Sequence, residues 1–363
     1  MTAAIASNTS ILAITVILAL VSLLTVKRVD VEKRFIPLSK QATDQLKGVA
    51  IIFLLLGHLS LRCIEGEQIT ENAGAWAVVI FLVLSGATFV KAYGLSNLGW
   101  RFIFNRIRRL VFPLWITLAL VYVLDYLLLE KTYPWLDIFT HFAGVSTNAP
   151  PLHTEWFVTY VLFLYSAYYL VSKLRATPML KFIVLLCVVY SASYIIVRNK
   201  YFDVLQIWLA YTLVFPLGVI IGVYRKGIFS FFDSWLQSHK VSFIISLVIL
   251  FVGYDYLTYM SINLTLPIKV VFNALKNISL IMSVLMLSCI FDVIRFELRF
   301  LLLLGKYSYE IFLLHYPFMV SYNFLLSKQP LSLYFIAYLV LLVFMSIALQ
   351  KITNVLNRLM LPA

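Results

Sequence analysis

Long, nearly continuous runs of apolar residues alternate with short polar connections along most of the chain. Each run has about the 20 residues that a helix needs to cross a hydrocarbon core of about 30 Å. A transmembrane β-barrel would instead show short segments of alternating polarity. The pattern therefore predicts an all-α, polytopic integral membrane protein with about eleven spans, at residues 11–26, 48–63, 74–92, 110–128, 156–172, 181–197, 204–223, 241–258, 275–292, 308–326 and 331–350.

The composition supports this prediction and excludes nucleic-acid binding. Hydrophobic residues make up 62% of the 363 residues and charged residues 12%, whereas soluble domains have about 45–50% and about 25%. No stretch is polar and long enough to fold as a separate soluble domain. The net charge of +13 comes from basic residues that punctuate the apolar runs, which is typical of membrane topology.

The distribution of Lys and Arg predicts how the chain is oriented. The first apolar run has an uncharged segment before it and a basic segment after it, the reverse of a cleaved signal peptide. Threading the spans alternately puts 22 of the 29 Lys and Arg residues on one side and 7 on the other. The positive-inside rule makes the first side cytoplasmic, which places the N-terminus outside and the C-terminus in the cytoplasm.

The second predicted helix carries an acidic, a basic and an imidazole side chain. Lys47 and His58 lie on one helix face, about 16 Å apart along the axis, and Asp44 is one turn before Lys47. His58 is then near mid-membrane, where a polar side chain faces the bundle interior or a wet cavity. Its unperturbed pKa of about 6.5 suits proton transfer, although a histidine that is merely hydrogen-bonded between helices is the alternative.

A second histidine reaches a similar depth. Counted from Lys306 at the cytoplasmic edge, His315 is about 13 Å into the membrane, and Pro317 should loosen the helix just beyond it. Glu310 lies well round the helix from His315, so we expect it to contact another helix. Two ionisable rings at matched depth predict a shared intramembrane site for His58 and His315.

Basic residues cluster on the cytoplasmic side in WRFIFNRIRRLVFP, which contains Arg101 and Arg108 beside a spaced pair. Arg106 and Arg109 are three residues apart, so they share a face and could bind phosphate together. An anchor on anionic lipid is the alternative.

The longest non-cytoplasmic connection runs from about Leu129 to Glu155 and is rich in proline, polar and aromatic residues. It is predicted to lie at the interface or to re-enter the bundle. His141, His153 and Glu155 could contact an acceptor there, although simple interfacial exposure is the stronger interpretation.

Metal and nucleotide chemistry have no support in the sequence. Cys63, Cys187 and Cys289 share no motif spacing, and no pair of histidines has a metal-ligand spacing. There is no P-loop and no dinucleotide-binding glycine pattern. No metal site, bound cofactor or disulfide is therefore predicted.

Six segments in order resemble the membrane-bound acyltransferase 3 family, of the bacterial O-acetyltransferase type. They cover about residues 38–350 and read DQLKGVAIIFLLLGH, IFLVLSG, FIFNRIRRLVFP, TEWFVTYVLFLY, FPLGVIIGVY and LLLLGKYSYEIFLLHYPF. The resemblance implies a ten-helix acyltransferase core at 38–363, preceded by an extra transmembrane helix and cytoplasmic connector at 1–37. Lys47 replaces the family's commoner Arg, and Phe312 stands where Tyr is frequent.

The family resemblance implies a membrane O-acyltransferase, most often an O-acetyltransferase, in the bacterial plasma membrane. Such an enzyme moves an acyl group from cytoplasmic acyl-CoA, its donor substrate, to a hydroxyl of a cell-surface polysaccharide or lipid-linked glycan. Membrane lipid would surround it. A proton-coupled transporter or flippase of a lipid-linked saccharide, without acyl transfer, is the alternative that paired intramembrane histidines also fit.

The resemblance also suggests roles for the residues identified above. His58 would be the general base for the acceptor hydroxyl, or would carry the acyl group itself. Asp44 and Lys47 would orient its helix or the CoA tail, and Arg106 and Arg109 would bind CoA phosphates. His315 is a candidate for a second site, as a proton shuttle or acceptor ligand.

Overall fold

The computed structural model describes residues 8–28, 38–61, 72–144, 152, 154–199, 203–261, 264–293 and 296–359. Almost all of these residues are helical. The α-helices, in chain order, are α1 Asn8–Leu24, α2 Lys40–Ser60, α3 Ala73–Tyr93, α4 Trp100–Leu129, α5 Trp135–Phe142, α6 Glu155–Ser172, α7 Pro178–Asn199, α8 Val214–Ser238, α9 Lys240–Met260, α10 Leu266–Val293, α11 Arg299–Lys306, α12 Ser308–Tyr316 and α13 Leu331–Leu359.

The prediction of an all-α polytopic membrane protein is confirmed. Within the described residues, eight helical segments are long and apolar enough to cross a membrane. They include α2, α3, α4, α7, α8, α9, α10 and α13. Two further predicted spans form the shorter helices α1, of 17 residues, and α6, of 18 residues.

Two predicted spans differ from single continuous helices. The span predicted at 308–326 is α-helical only as far as Tyr316, the end of α12, and the backbone at Tyr307 (φ −105°, ψ 18°) separates α12 from the preceding α11. Beyond α12, the segment Pro317–Ser321 forms a π-helical turn, consistent with a proline that has no N–H to donate. The span predicted at 204–223 begins as a 3-10 helix, Asp203–Tyr211, before α8 starts.

Helix α2 lies at the centre of the bundle. It packs against α3, α10, α11 and α12, and α3 in turn packs closely against α8. The apolar face of α9 is exposed along its length, as expected for a helix that contacts lipid. That face consists of Val241, Ile244, Ile245, Val248, Ile249 and Val252.

Close approach of α2 and α11 depends on two glycines. A Cβ atom at Gly48 would overlap the Leu301 carbonyl, and one at Gly305 would overlap the Asp44 carbonyl. Small residues of this kind let helix backbones come together in a membrane. The contact fixes α2 against the segment that leads into α12.

A small β-ribbon, which the apolar pattern did not predict, joins the N-terminal region to the segment before α11. Strand β1, Val26–Arg28, pairs antiparallel with β2, Phe296–Leu298. Thr25 extends the junction, since its carbonyl and hydroxyl accept hydrogen bonds from the Arg299 and Phe300 amides at 3.3 and 3.2 Å. Helix α1 therefore packs on α2, α11 and α13. Its assignment as a unit separate from the acyltransferase core stays a prediction.

Candidate active site

The two predicted intramembrane histidines lie side by side inside the bundle. The ring centroids of His58 on α2 and His315 on α12 are 5.0 Å apart, with the ring planes at 44°. The Tyr316 ring stands edge-on to His58 at 5.2 Å. The shared location inferred from matched depth is confirmed, while the roles of these residues stay predictions.

The hydrogen bonds of His315 fix which ring nitrogen is basic. His315 is fully buried, and its Nδ1 lies 2.7 Å from the Phe312 carbonyl oxygen. A carbonyl can only accept, so the proton is on Nδ1 and the lone pair of the neutral ring is on Nε2. Nε2 has no hydrogen-bond partner among the described residues. Tyr338 on α13 holds this turn of α12 by donating to the His315 carbonyl at 2.8 Å.

An apolar wall closes one side of the histidine pair. Phe312 is buried, with its ring 5.9 Å from that of His315 and 5.0 Å from that of Phe157 on α6. Phe312 has no hydroxyl group, and the tyrosine ring that contacts His58 is that of Tyr316. Low polarity around a base strengthens its interactions with charge that develops during a reaction.

The N-terminal turns of α2 carry the predicted ion pair and a well-satisfied helix cap. Lys47 Nζ lies 3.0 Å from Asp44 Oδ1. Ser39 caps the helix by accepting from the Ala42 amide at 3.0 Å, and Gln45 Oε1 accepts from the Leu298 amide at 2.9 Å. The start of the histidine-bearing helix is thus held on several sides.

Arg106 is held in a cluster of aromatic rings. Its guanidinium carbon lies 4.4 Å from the centroid of Phe89, and its Nη2 donates to the Tyr93 hydroxyl at 2.8 Å. Arg109, one turn on, is exposed, and both arginines interact electrostatically with Tyr165 on α6. The two guanidiniums therefore lie at the same edge of the bundle, and together they can bind an anionic group. We call this edge, with the N-terminus of α2, the arginine end.

A buried lysine anchors the connection that leads into the arginine-bearing helix. Lys181 on α7 is 3% exposed, and its ammonium donates to the Leu95 carbonyl at 2.7 Å. The same connection is held by Tyr168, which donates to the Gly94 carbonyl at 2.6 Å, and by the Asn97 amide, which donates to the Ser172 carbonyl at 2.8 Å. Sequence inspection did not single out Lys181, because one Lys at the start of an apolar run resembles a topology flank.

At the opposite end of the bundle, the prediction that His141 and Glu155 are interfacial surface is wrong. They are 0% and 1% exposed. The reason is the amphipathic helix α5, which turns Trp135 and Phe139 outward and directs His141 into the bundle. The connection contains a short helix whose Trp135 and Phe139 are exposed, while His141 and Glu155 face inward; its position at the membrane interface stays a prediction. His153 lies outside the described residues.

Hydrogen bonds organise the polar groups around α5. His141 Nδ1 lies 2.6 Å from the Tyr122 hydroxyl, and burial lowers the pKa of His141, with Asp137 opposing the shift. The Asp125 carboxylate accepts from the Tyr322 hydroxyl at 2.7 Å and also from the Tyr133 hydroxyl. We call this the α5 end of the bundle.

Comparison with known proteins identifies the family. A sequence model described as an acyltransferase domain, Acyl_transf_3, matches residues 41–351. No curated protein and no solved structure gives a significant match. The matched region contains both histidines, the ion pair of α2 and the arginine pair.

Proposed function

The chain belongs to the membrane-bound acyltransferase 3 family and is a multi-pass membrane acyltransferase; from this premise we propose its substrates and its mechanism. The donor is cytoplasmic acyl-CoA, most often acetyl-CoA. The acceptor is a hydroxyl of a cell-surface polysaccharide or a lipid-linked glycan. The observation that supports this most strongly is the pair of imidazole rings, His58 and His315, 5.0 Å apart inside the helix bundle.

The arginine end is proposed to face the cytoplasm of a bacterial cell and to receive the donor there. In this orientation the N-terminus of the chain lies outside the cell. Arg106 and Arg109 bind the CoA phosphates through charge-assisted hydrogen bonds. Lys47, paired with Asp44 at 3.0 Å, adds positive charge at the same end. Along α2, Lys47 is about 16 Å from His58, a separation that the extended pantetheine arm of CoA can span.

The proposed chemical step uses His58 as general base. Its imidazole removes the proton of the acceptor hydroxyl as the oxygen attacks the thioester carbonyl. The C–S bond then breaks, and the CoA thiolate takes the proton from His58. In the alternative sequence, His58 itself attacks the thioester and CoA leaves as its thiolate. The acceptor oxygen then displaces the imidazole from the acyl group, and the hydroxyl proton passes to the CoA thiolate.

His315 supplies the second ring of the pair. With Nδ1 bound to the Phe312 carbonyl, its Nε2 is available to relay the proton or to accept a hydrogen bond from the acceptor. Phe312 and Phe157 exclude water beside it, which limits hydrolysis of the thioester.

Transfer by purified protein tests the substrate assignment. Proteoliposomes containing the enzyme would receive isotopically labelled acetyl-CoA or succinyl-CoA and a glycan fraction, with empty liposomes as the blank. The proposal predicts labelled glycan by mass spectrometry, with acetyl preferred to succinyl. Movement of saccharide across the bilayer without any acylated product would contradict it and support the transporter alternative.

A further inference from the structure

A buried polar cluster at the α5 end is used neither by the histidine pair nor by the arginines. We call it the α5 cluster, and it brings together α4, α5, the start of α6 and the segment after α12. Its hydrogen-bonded members are Tyr122, Asp125, Tyr133, His141 and Tyr322, and the buried Glu155 lies within electrostatic reach of Tyr122.

Hydrogen bonding accounts for all of the cluster except one carboxyl. Asp125 accepts from two tyrosine hydroxyls, and His141 is bonded to Tyr122. Glu155 is 1% exposed, yet neither of its carboxyl oxygens makes a hydrogen bond of normal geometry to a described residue. Among the described residues, the Leu152 backbone lies close enough to interact with this carboxyl. A buried carboxyl without good partners is costly unless a ligand supplies them.

The position of Glu155 relates it to the histidine site. Tyr322 follows His315 by one π-helical turn and a bend, so the α5 cluster begins within about 10 Å of the histidine pair at 1.5 Å per residue. Phe157 lies two residues after Glu155, on the other side of α6, and contacts the Phe312 wall, so this turn of α6 packs beside His315. Along α6, Glu155 is about 15 Å from Tyr165, which lies beside the arginines. A molecule held at Glu155 can therefore reach the histidines from the side away from the donor.

The hydrogen-bonding groups of the α5 cluster suit a ligand with several hydroxyls. The two oxygens of a carboxyl group can accept hydrogen bonds from two adjacent hydroxyls. The neighbouring Tyr122, which is within electrostatic reach of Glu155, has a hydroxyl that can both donate and accept. Hydroxyls on neighbouring carbons of a saccharide match both kinds of partner.

We propose that Glu155 is an acceptor-binding residue whose carboxyl group holds two neighbouring hydroxyls of the saccharide, leaving another hydroxyl directed toward His58. This assignment deepens the proposed function and rests on it. Glu155 takes no proton from the reacting hydroxyl, so its contribution is to acceptor affinity.

Binding and kinetics of Glu155 variants test the assignment. Glu155→Gln and Glu155→Leu would be compared with wild type and with Glu130→Gln, a matched control because Glu130 is exposed near the same end of the bundle. Purified proteins in nanodiscs would be applied to an array of short neutral oligosaccharides, and acceptor KM, donor KM and acceptor-free CoA release would be measured.

We expect both Glu155 variants to weaken oligosaccharide binding and to raise acceptor KM by about tenfold or more, because the hydrogen bonds of the carboxyl group to the saccharide hydroxyls are lost. Donor KM and acceptor-free CoA release should be unchanged, and Glu130→Gln should behave as wild type. Glu155→Leu should unfold at the same temperature as wild type or at a higher one, because it removes a poorly satisfied buried carboxyl.

The assignment would be overturned by wild-type protein that binds none of the oligosaccharides, or by Glu155 variants that bind them as wild type does. Lower unfolding temperatures with unchanged acceptor KM would likewise make Glu155 a structural residue. Failure of the proposed function would look different. The wild type would then bind oligosaccharide in a Glu155-dependent manner without transferring an acyl group.

Discussion

The imidazole of His58 lies 5.0 Å from the imidazole of His315, although the two residues come from helices near opposite ends of the chain. Each ring is held by its own helix, and α12 is further fixed by the hydrogen bond from Tyr338 to the His315 carbonyl. Two bases held in contact inside an apolar bundle are expected to act as a unit. This relationship underlies the first prediction.

The two histidines should be strongly coupled in catalysis. We expect His58→Ala and His315→Gln each to lower kcat for acyl transfer by about 10² to 10⁴, the usual contribution of a general acid or base. Because groups that act together are not additive, the double variant should be no slower than the slower single variant. Steady-state rates of the four proteins would measure this, and multiplying losses would instead indicate independent roles.

Arg106 should govern donor affinity. Its guanidinium lies over the Phe89 ring and donates to Tyr93, a geometry that a lysine ammonium does not reproduce. Arg106→Ala and Arg106→Lys should both raise the KM for acyl-CoA by about tenfold or more, with acceptor KM unchanged.

The control for the Arg106 variants is Arg101→Ala, on the same helix but exposed. It should leave donor KM near that of wild type. An equal effect of both substitutions would mean that this basic segment attracts CoA only through its overall charge, or serves as a lipid anchor.

The close contact of α2 with α11 should make Gly305 intolerant of a side chain. A Cβ there would overlap the Asp44 carbonyl, so Gly305→Ala should lower the apparent unfolding temperature and reduce activity, at a cost of about 1–3 kcal/mol for overpacking. Gly74→Ala is the matched control, because nothing lies within 4 Å of its Cβ position. Ala at that helical site should be neutral or stabilising. Equal stability of the two variants in thermal unfolding would show that α11 can move away from α2.

Burial of His141 should make stability depend on pH. Burial lowers the pKa of His141 in the folded protein, with Asp137 opposing, so the unfolded state binds more protons just below its own pKa of about 6.5. Above about pH 6.5 the ring is neutral in both states, so His141 does not lower the free energy of unfolding. As the pH falls below about 6.5, protonation of the unfolded state lowers the free energy of unfolding. Unfolding temperatures from pH 8 to pH 5 should fall less steeply for His141→Gln than for wild type. The exposed His239 provides the control, since His239→Gln should keep the wild-type pH profile.

The sequence could predict the helices and the central residues of the site for clear physical reasons. Apolar length alone identifies spans, and the scarcity of polar residues inside them made His58 and His315 conspicuous. Local helical spacing predicted the Asp44–Lys47 pair, now seen at 3.0 Å. The expectation that Glu310 contacts another helix is also confirmed, because Gln350 on α13 donates to it at 3.3 Å.

Other features depend on contacts between distant segments, and the sequence pattern could not reveal them. The break at Tyr307 and the β1–β2 ribbon arise where α11 packs on α2, and a three-residue strand shows no useful periodicity. The aromatic surroundings of Arg106 come from α3. Burial of Glu155 depends on how the helices pack around the start of α6, so an acidic residue beside a polar loop was wrongly expected to be exposed.

The most direct test of the central claim compares wild type with His58→Gln and His239→Gln in proteoliposomes supplied with labelled acetyl-CoA and a glycan acceptor. Glutamine keeps much of the size of histidine but cannot act as a base at neutral pH, and His239 is an exposed histidine in the same protein. If His58 is the catalytic base, label moves to glycan with wild type and His239→Gln, and transfer falls at least about 100-fold with His58→Gln. Transfer by folded His58→Gln at the wild-type rate would contradict the account and move the catalytic base elsewhere in the bundle.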